Sequence, residues 1–361
     1  MDRECSRGHR RSVTTIAITG VSGGAGQLVL RRLADDPSVD RIIGIDARDP
    51  VFRPPSLEFH QLDLASADLK SVLERADTVA HLSFLVAPRA DAALTERANI
   101  EGTRRVLEAA AGAGIGGIVV VSSAMVYGAW PNNPVPLTED APLRPNPGVT
   151  FATQKAEIER LVAEWADDHP GLPVAILRPV TVVGPAIDGH LSQAFREGLP
   201  VRMRGPGPPA QFLHHDDLIA AAHLAITSRL DGVYNVAPDG SIPHEELLAL
   251  AAPRLRVRLP WGTGGRVGRQ AWAAGLVETP SALTPYLEQP WVVANDPLRA
   301  AGWEPQHTNA EAFVASAEPS AFQDMSVRRR QQLTLGAAAG GLVAVAGGVV
   351  AIVRRARHRP D

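Results

Sequence analysis

Short apolar, strand-like runs occupy residues 14–18, 41–45, 57–62, 78–82 and 118–121. Between them, residues 26–34, 68–75 and 99–111 carry their apolar side chains at helical spacing. Strands alternating with helices predict a parallel sheet covered on both faces, a Rossmann-type doubly wound α/β fold. The proline-rich stretch 131–147 breaks the pattern, after which residues 151–168 read as a long helix and 174–177 as a sixth strand running into Arg178 and Pro179. Beyond Gly184 the elements are short and irregular up to about Phe313, which suits a smaller region laid over a substrate better than an independent fold.

Composition narrows the picture. With 361 residues, 45% hydrophobic and 21% charged, the chain has room for a nucleotide-sized domain and a lesser one, and is neither disordered nor a coiled coil as a whole. A formal charge of -3 supplies no positive field for a polyphosphate backbone, so nucleic acid is not an expected partner. The single cysteine, Cys5, excludes an internal disulfide and a cysteine-based metal site, and fits a reducing compartment.

Residues 1–11 carry charges and lack the apolar stretch and cleavage site of a signal peptide, so export by that route is not expected. Residues 333–353 contain no charge and lie between Arg328, Arg329 and Arg330 on one side and Arg354, Arg355, Arg357 and Arg359 on the other. As a helix this run would be about 31 Å long, enough to cross a bilayer. Nine Leu, Ile or Val among six Ala, five Gly and one Thr favour insertion, by about 3–5 kcal/mol before small-residue costs. Gly336 and Gly340 have the spacing that lets two helices approach closely. The expectation is a C-terminal transmembrane helix holding a cytoplasmic globular part to the membrane, its orientation left open by arginines on both sides.

The expected organisation is a basic tail (1–12), a dinucleotide-binding domain (13–185) and a substrate-covering region with elements returning to the core (186–317). A linker (318–332), the apolar helix (333–353) and a second basic tail (354–361) complete it.

Thr19-Gly20-Val21-Ser22-Gly23-Gly24-Ala25-Gly26 follows the first strand and opens a helix. A dinucleotide pyrophosphate needs backbone close by and a helix N-terminus beneath it. Gly20 allows the tight turn, Gly23 the close approach and Gly26 the packing of helix on strand. Asp46, at the end of the second strand and 20 residues past Gly26, can accept hydrogen bonds from ribose hydroxyls and would repel the extra phosphate of NADP. The cofactor expected is therefore NAD. Asp63, closing the third strand, suits either an adenine contact or a strand-end cap.

These residues, with Asn99-Ile100-Glu101-Gly102-Thr103, Ser122-Ser123-Ala124-Met125-Val126-Tyr127-Gly128 and Arg178-Pro179 ahead of Gly184-Pro185, resemble the extended short-chain dehydrogenase/reductase family, the NAD-dependent epimerase/dehydratases. His214-His215-Asp216-Asp217-Leu218 and Val233-Tyr234-Asn235-Val236 look like motifs of its second half, so the resemblance runs from about Val13 to Phe313. It implies that Ser123 hydrogen-bonds the reacting oxygen. It also implies a Tyr-x-x-x-Lys helix, whose phenol is the acid/base and whose lysine lowers the phenol's pKa and holds the nicotinamide ribose. Members often pair as homodimers through the helices that here begin near Asn99 and Phe151.

The corresponding segment is Phe151-Ala152-Thr153-Gln154-Lys155, and phenylalanine has no ionisable group. The three tyrosines, Tyr127, Tyr234 and Tyr286, have no Lys or Arg four residues on, so no shifted copy of the motif exists. Lys155 is one of only two lysines, with Lys70, in a chain that otherwise uses arginine, which fits a retained ribose contact; an exposed helical lysine is the plainer reading. Thr181 stands where sugar-nucleotide members commonly carry a substrate-binding asparagine, and Ala124-Met125 replace the Asp-Glu pair of the dehydratase branch. These departures weaken nucleotide-sugar binding and disfavour a 4,6-dehydratase. Ser123, Tyr127, Thr150 and Thr153 are the local hydroxyls, with Tyr127 expected to pack or to orient its loop. His214 and His215 before two acids suggest catalysis or a metal, but the resemblance implies a strand-to-helix junction there, capped by Asp216 or Asp217, with no metal expected.

Three functions compete. The first is an atypical NAD-dependent epimerase or oxidoreductase on a sugar nucleotide or related alcohol or carbonyl substrate. The second is a catalytically inactive NAD-binding sensor or membrane-associated scaffold. The third is a hydroxysteroid-dehydrogenase-like enzyme acting on a lipid.

Overall fold

In the computed structural model, the structure describes residues 15–86, 92–184, 187, 191, 192, 195, 207–250 and 281–315. The expected basic tails, the linker and the apolar run 333–353 lie outside them. Among the described residues no helix is long and apolar enough to cross a membrane.

Seven parallel strands form the main sheet: β1 (Thr15–Thr19), β2 (Arg41–Asp46), β3 (Leu57–Gln61), β4 (Thr78–His81), β5 (Ile118–Val121), β6 (Val174–Pro179) and, later in the chain, β9 (Gly232–Val236). Their spatial order is β3-β2-β1-β4-β5-β6-β9. The order reverses at β1, where β2 and β4 lie on opposite sides of it. A crevice for a ligand opens at such a switch point, beyond the carboxyl ends of the strands.

The sheet has an interior on each face because successive strand residues point opposite ways. Ile16 and Ile18 of β1 enter one apolar cluster with Val119 of β5 and Ala175 and Leu177 of β6. Ala17, Ile118, Val120, Val174 and Ile176 enter the other. Helix α1 (Gly24–Ala34) covers the first face through Gly26, Val29, Leu30 and Leu33, a repeat of three and four residues. Helix α6 (His215–Ser228) joins it there through Leu218, Ile219, Ala222 and Ile226. The second face is covered by α4 (Gly102–Ala113) and α5 (Thr150–Asp168), with Val106, Leu107, Ile158, Leu161 and Val162 inside.

Most predicted elements stand with ends moved by a residue or two. The helix predicted over 68–75 shortens to a single turn, α2 (Lys70–Leu73). The one predicted from Asn99 begins earlier, since α3 (Ala92–Glu96) runs through a π-helical turn at Arg97–Glu101 into α4. Such a turn carries one extra residue and shifts which side chains face inward, and it marks functional positions in many helices. Here it buries Asn99.

The remainder packs at the carboxyl end of the sheet. Strands β7 (Thr181–Val183) and β8 (Phe212–His214) pair in parallel. With α7 (His244–Leu250) and α10 (Asn309–Ala315) they enclose a small core of Val183, Phe212, Ile242, Leu247 and Phe313. Two short helices, α8 (Thr284–Glu288) and α9 (Asp296–Ala300), precede α10.

Candidate active site

The glycine loop joins β1 to α1 at the switch point. Gly20 adopts φ +75°, and a Cβ there would stand 2.6 Å from the Ser83 backbone. A Cβ on Gly26 would fall on the Gly20 carbonyl, far inside contact distance, and one on Gly23 would come to 3.3 Å from the same oxygen. Close backbone approach excludes a side chain at Gly20 and Gly26, while Gly23 leaves only a tight fit for one. The first turn of α1 has no side-chain cap. Its free N–H groups and a wall without side chains fit a pyrophosphate.

Asp46 ends β2 beside this loop. One carboxylate oxygen accepts the Ser22 N–H at 3.1 Å and the other the Arg48 N–H at 3.0 Å, so the predicted ribose ligand also ties the loop to the sheet. Gln27 braces the loop from α1, donating to the Val21 carbonyl at 2.8 Å and accepting from Phe52 N–H. Asp63 accepts Ala65 N–H at 3.0 Å and the Ser66 hydroxyl at 3.2 Å. That is the strand-end cap, on a carboxylate that remains about half exposed.

The long helix α5 delivers Phe151, Lys155 and Glu159 one turn apart along one face. Lys155 is buried; its ammonium donates to the Val121 carbonyl at 2.7 Å and sits 4.1 Å from the Phe84 ring centre. The Phe151 ring meets Phe84 edge to face at 5.2 Å, so an aromatic wall stands where a phenol was looked for. The exposed-lysine reading is therefore wrong. Burial pushes the Lys155 ammonium down to about 7, a fall that the Glu159 charge only partly opposes.

Glu159 is occupied elsewhere. Its carboxylate takes a bidentate pair from Arg178, with Nη2 2.6 Å from Oε2 and Nε 3.2 Å from Oε1, and accepts the Ser122 hydroxyl. Burial opposes the Arg178 charge, and Glu159 more than offsets it. Arg178 Nη1 also donates to the Tyr127 oxygen at 2.6 Å, whose own O–H goes to Asn235 Oδ1 at 2.8 Å. Tyr127 is thereby fixed as a structural phenol, pushed up to about 12 by burial. Tyr286 donates to the Met125 carbonyl and Tyr234 to that of Asp231, and burial raises both. No tyrosine replaces the missing one.

Ser123 caps the turn Ala124–Tyr127, its oxygen accepting Met125 N–H at 3.2 Å. Among the described residues its hydroxyl proton meets no acceptor. Thr153 donates back to the Thr150 carbonyl at 3.0 Å and is spent within the helix. Thr181 Oγ1 is buried and finds no partner among the described residues, an unmet hydrogen bond at the position where a substrate contact was expected.

Three features escaped the sequence reading. Asn99, buried by the π-turn, brackets Leu85 through both backbone groups and donates to Gln154 on α5 at 2.8 Å, fixing the exit of β4 against α5. Glu159 could have been found as the acid one turn after Lys155. The third is His81, at the end of β4.

Thr103 donates to the Asn99 carbonyl at 2.6 Å and so accepts from His81 Nε2–H at 2.9 Å, leaving Nδ1 to accept the Thr19 hydroxyl at 2.6 Å. That network assigns one neutral tautomer. Burial, with Lys155 adding repulsion, drives His81 down to about 3. The unfolded chain, near 6.5, binds the proton first, so this contribution is whole above that value and is lost as pH falls toward 3. By pH 5 the loss should reach about 2 kcal/mol. Urea midpoints at pH 7 and pH 5 should therefore converge more for His81→Gln than for the parent protein; equal pH slopes would count against this assignment.

At the β8–α6 junction the expected cap is corrected. The helix is capped by His214, whose Nδ1 accepts Asp216 N–H at 3.3 Å. Asp217 instead accepts Gln306 N–H, His307 N–H and the His307 ring, pinning a distant loop. His214, Asp216 and His307 bring ligand atoms within 4.8 Å of one another. The two rings stack at 3.9 Å and 28°, and each Nδ1 is already engaged, that of His214 by Asp216 N–H and that of His307 by Asp217.

A glycine-walled helix start at the switch point, an acid ending β2, a serine after β5 and a lysine on the following helix define a dinucleotide-dependent oxidoreductase fold of the extended short-chain type. Residues 16–237 match the family described as the NAD-dependent epimerase/dehydratase family, and the chain belongs to it. Relatives include a 3-diazoavenalumate denitrifying reductase of a Streptomyces species, 33% identical over 294 residues, covering 77% of this chain and 87% of that protein. A dTDP-glucose 4,6-dehydratase of Streptomyces griseus is 27% identical over 266 residues, covering 66% and 77%. Among solved structures, the UDP-glucose 4-epimerase of Thermus thermophilus in complex with NAD superposes with a TM-score of 0.62 at 22% identity, covering 84% of this chain and 97% of that one.

Proposed function

We propose that this chain is an NAD-dependent oxidoreductase acting on a sugar nucleotide or a related alcohol or carbonyl compound. The observation that carries the reading is the pairing of a phosphate cradle closed to any Cβ at Gly20 and Gly26 with a buried lysine on the catalytic helix. Gly20, Gly23 and Gly26 would hold the pyrophosphate, Asp46 the adenosine ribose and Lys155 the nicotinamide ribose. When bound, the dinucleotide supplies or accepts a hydride. Ser123 would hydrogen-bond the reacting oxygen and Thr181 the substrate.

Titration of NAD, NADH and NADP into the protein, followed by thermal stability and nicotinamide fluorescence, tests the cofactor. Saturable binding of NAD and NADH, with NADP weaker, is the expected result; a folded protein that binds none of them refutes the reading. Phe151→Tyr tests the site, because a positioned acid or base typically contributes 10²–10⁴-fold. The variant should raise turnover of a sugar-nucleotide alcohol by about 10²-fold with cofactor affinity unchanged. No gain at unchanged affinity would mean that Ser123 and Lys155 do not frame a disabled tyrosine site.

A second reading draws on the denitrifying reductase. In general chemistry, replacement of a diazonium group by hydride forms a C–H bond, releases dinitrogen and leaves no alkoxide to protonate. A site without a phenol meets no obstacle in such chemistry. The inactive sensor draws on Phe151 and on the apolar run 333–353, which lies outside the described residues, and turnover of either substrate class would remove it.

A further inference from the structure

We propose that the amine of Lys155, in place of a phenol, is the proton donor and acceptor of this site, exchanging its proton with the reacting oxygen directly or through one intervening hydroxyl. The inference rests on the oxidoreductase reading above and names the residue that completes it.

Four observations support it. Phe151 removes the phenol, and the hydroxyls of Tyr127, Tyr234 and Tyr286 are bound elsewhere. Lys155 is buried, and among the described residues no carboxylate lies within ion-pair distance of its nitrogen. Glu159, the acid one helical turn away, is committed to Arg178 and Ser122. Among the described residues the ammonium's direct contacts are one carbonyl, Val121, and one aromatic face, Phe84, with neutral His81 and the committed Glu159 acting on it electrostatically. A buried ammonium with so little compensation gives up its proton far more readily than a solvated one. Its value of about 7 suits a group that must both take and return a proton near neutrality. His81, beside it and held neutral, neither supplies nor competes for that proton in this range.

In the oxidising direction the carbinol O–H bond breaks, its proton passes to the Nζ lone pair, and the carbon releases a hydride to an oxidised nicotinamide dinucleotide. Carbonyl and ammonium result, and the reducing direction reverses every transfer. The positive charge of an oxidised nicotinamide close by should ease the proton off the ammonium, while a neutral reduced ring should let it return. The proton on Lys155 then follows the redox state of the cofactor.

Only Lys155 and Lys70 carry lysine amines in this chain, so the test is direct. Lysine labelled with carbon-13 at Cε gives two side-chain signals, and Lys70→Arg, an exposed position on α2, leaves one. The Lys155 signal is titrated from pH 5 to 11 in the free protein and in protein saturated with NAD or with NADH. The expected midpoint is about 7 in the free protein, lower with NAD and higher with NADH. A midpoint near 10, or one that ignores the oxidation state of a bound dinucleotide, overturns the proposal while leaving the oxidoreductase reading standing. Failure of both dinucleotides to bind overturns that reading and this role together.

Discussion

Gly26→Ala should abolish dinucleotide binding. The added methyl has no rotamer by which to escape the Gly20 carbonyl, so either α1 must withdraw from β1 or the loop must open. Overpacking of this kind costs about 1–3 kcal/mol where a core can adjust, and more where rigid backbone stands opposite. At least a hundredfold loss of NAD affinity is expected, since each 1.4 kcal/mol is about tenfold. Gly23→Ala, whose methyl would come to 3.3 Å from the same oxygen, should cost less. Isothermal titration of both variants gives the order, and equal affinities for the two would contradict the close-approach account. A circular-dichroism melt of Gly26→Ala separates loss of the cradle from loss of the fold.

Glu159→Ala should be the most destabilising single change near the site, by about 3–5 kcal/mol. It strands the Arg178 guanidinium, 5% exposed, with a tyrosine and a carbonyl as hydrogen-bond partners and only the more distant Glu139 carboxyl as a charge partner. It also releases the Ser122 hydroxyl beside Ser123. Replacing both charged partners by methionine should recover most of the loss, because the cost lies in the uncompensated charge and not in the absence of a pair. Urea unfolding of the single and double variants measures both. A loss below about 1 kcal/mol for Glu159→Ala would show that water reaches Arg178 and that the network is not sealed.

How much of this was legible in the sequence depends on how local each feature is. Strand and helix patterns, the glycine spacing and Asp46 depend on neighbours within a few residues, and the sheet with its phosphate loop formed close to where they pointed. The start of the Asn99 helix was misjudged because a π-turn adds a residue without altering apolar spacing enough to announce itself. The roles of Asp216 and Asp217 were misassigned for another reason: helix-capping composition suited either, and only the return of residues 303–307 to the junction gave Asp217 its partners. Glu159 and His81 looked like ordinary helix and strand residues, and Arg178 stood in a motif whose pattern does not name its partners. Their importance comes from burial in a common interior, which joins segments as far apart as Tyr127 and Asn235. Phe151 was the opposite case, a single residue whose chemistry could be read with no structure at all.

Asp46 gives the cofactor loop an unusual economy. The same carboxylate that would choose between two dinucleotides also fastens Ser22 to the sheet. Trading it for a neutral or basic residue, the simplest route to accepting a 2′-phosphate, therefore loosens the cradle that any dinucleotide needs. If Asp46 holds the ribose as proposed, selectivity and affinity are coupled at this position. A change of cofactor preference, in a laboratory or in a lineage, would first require a second anchor for the loop.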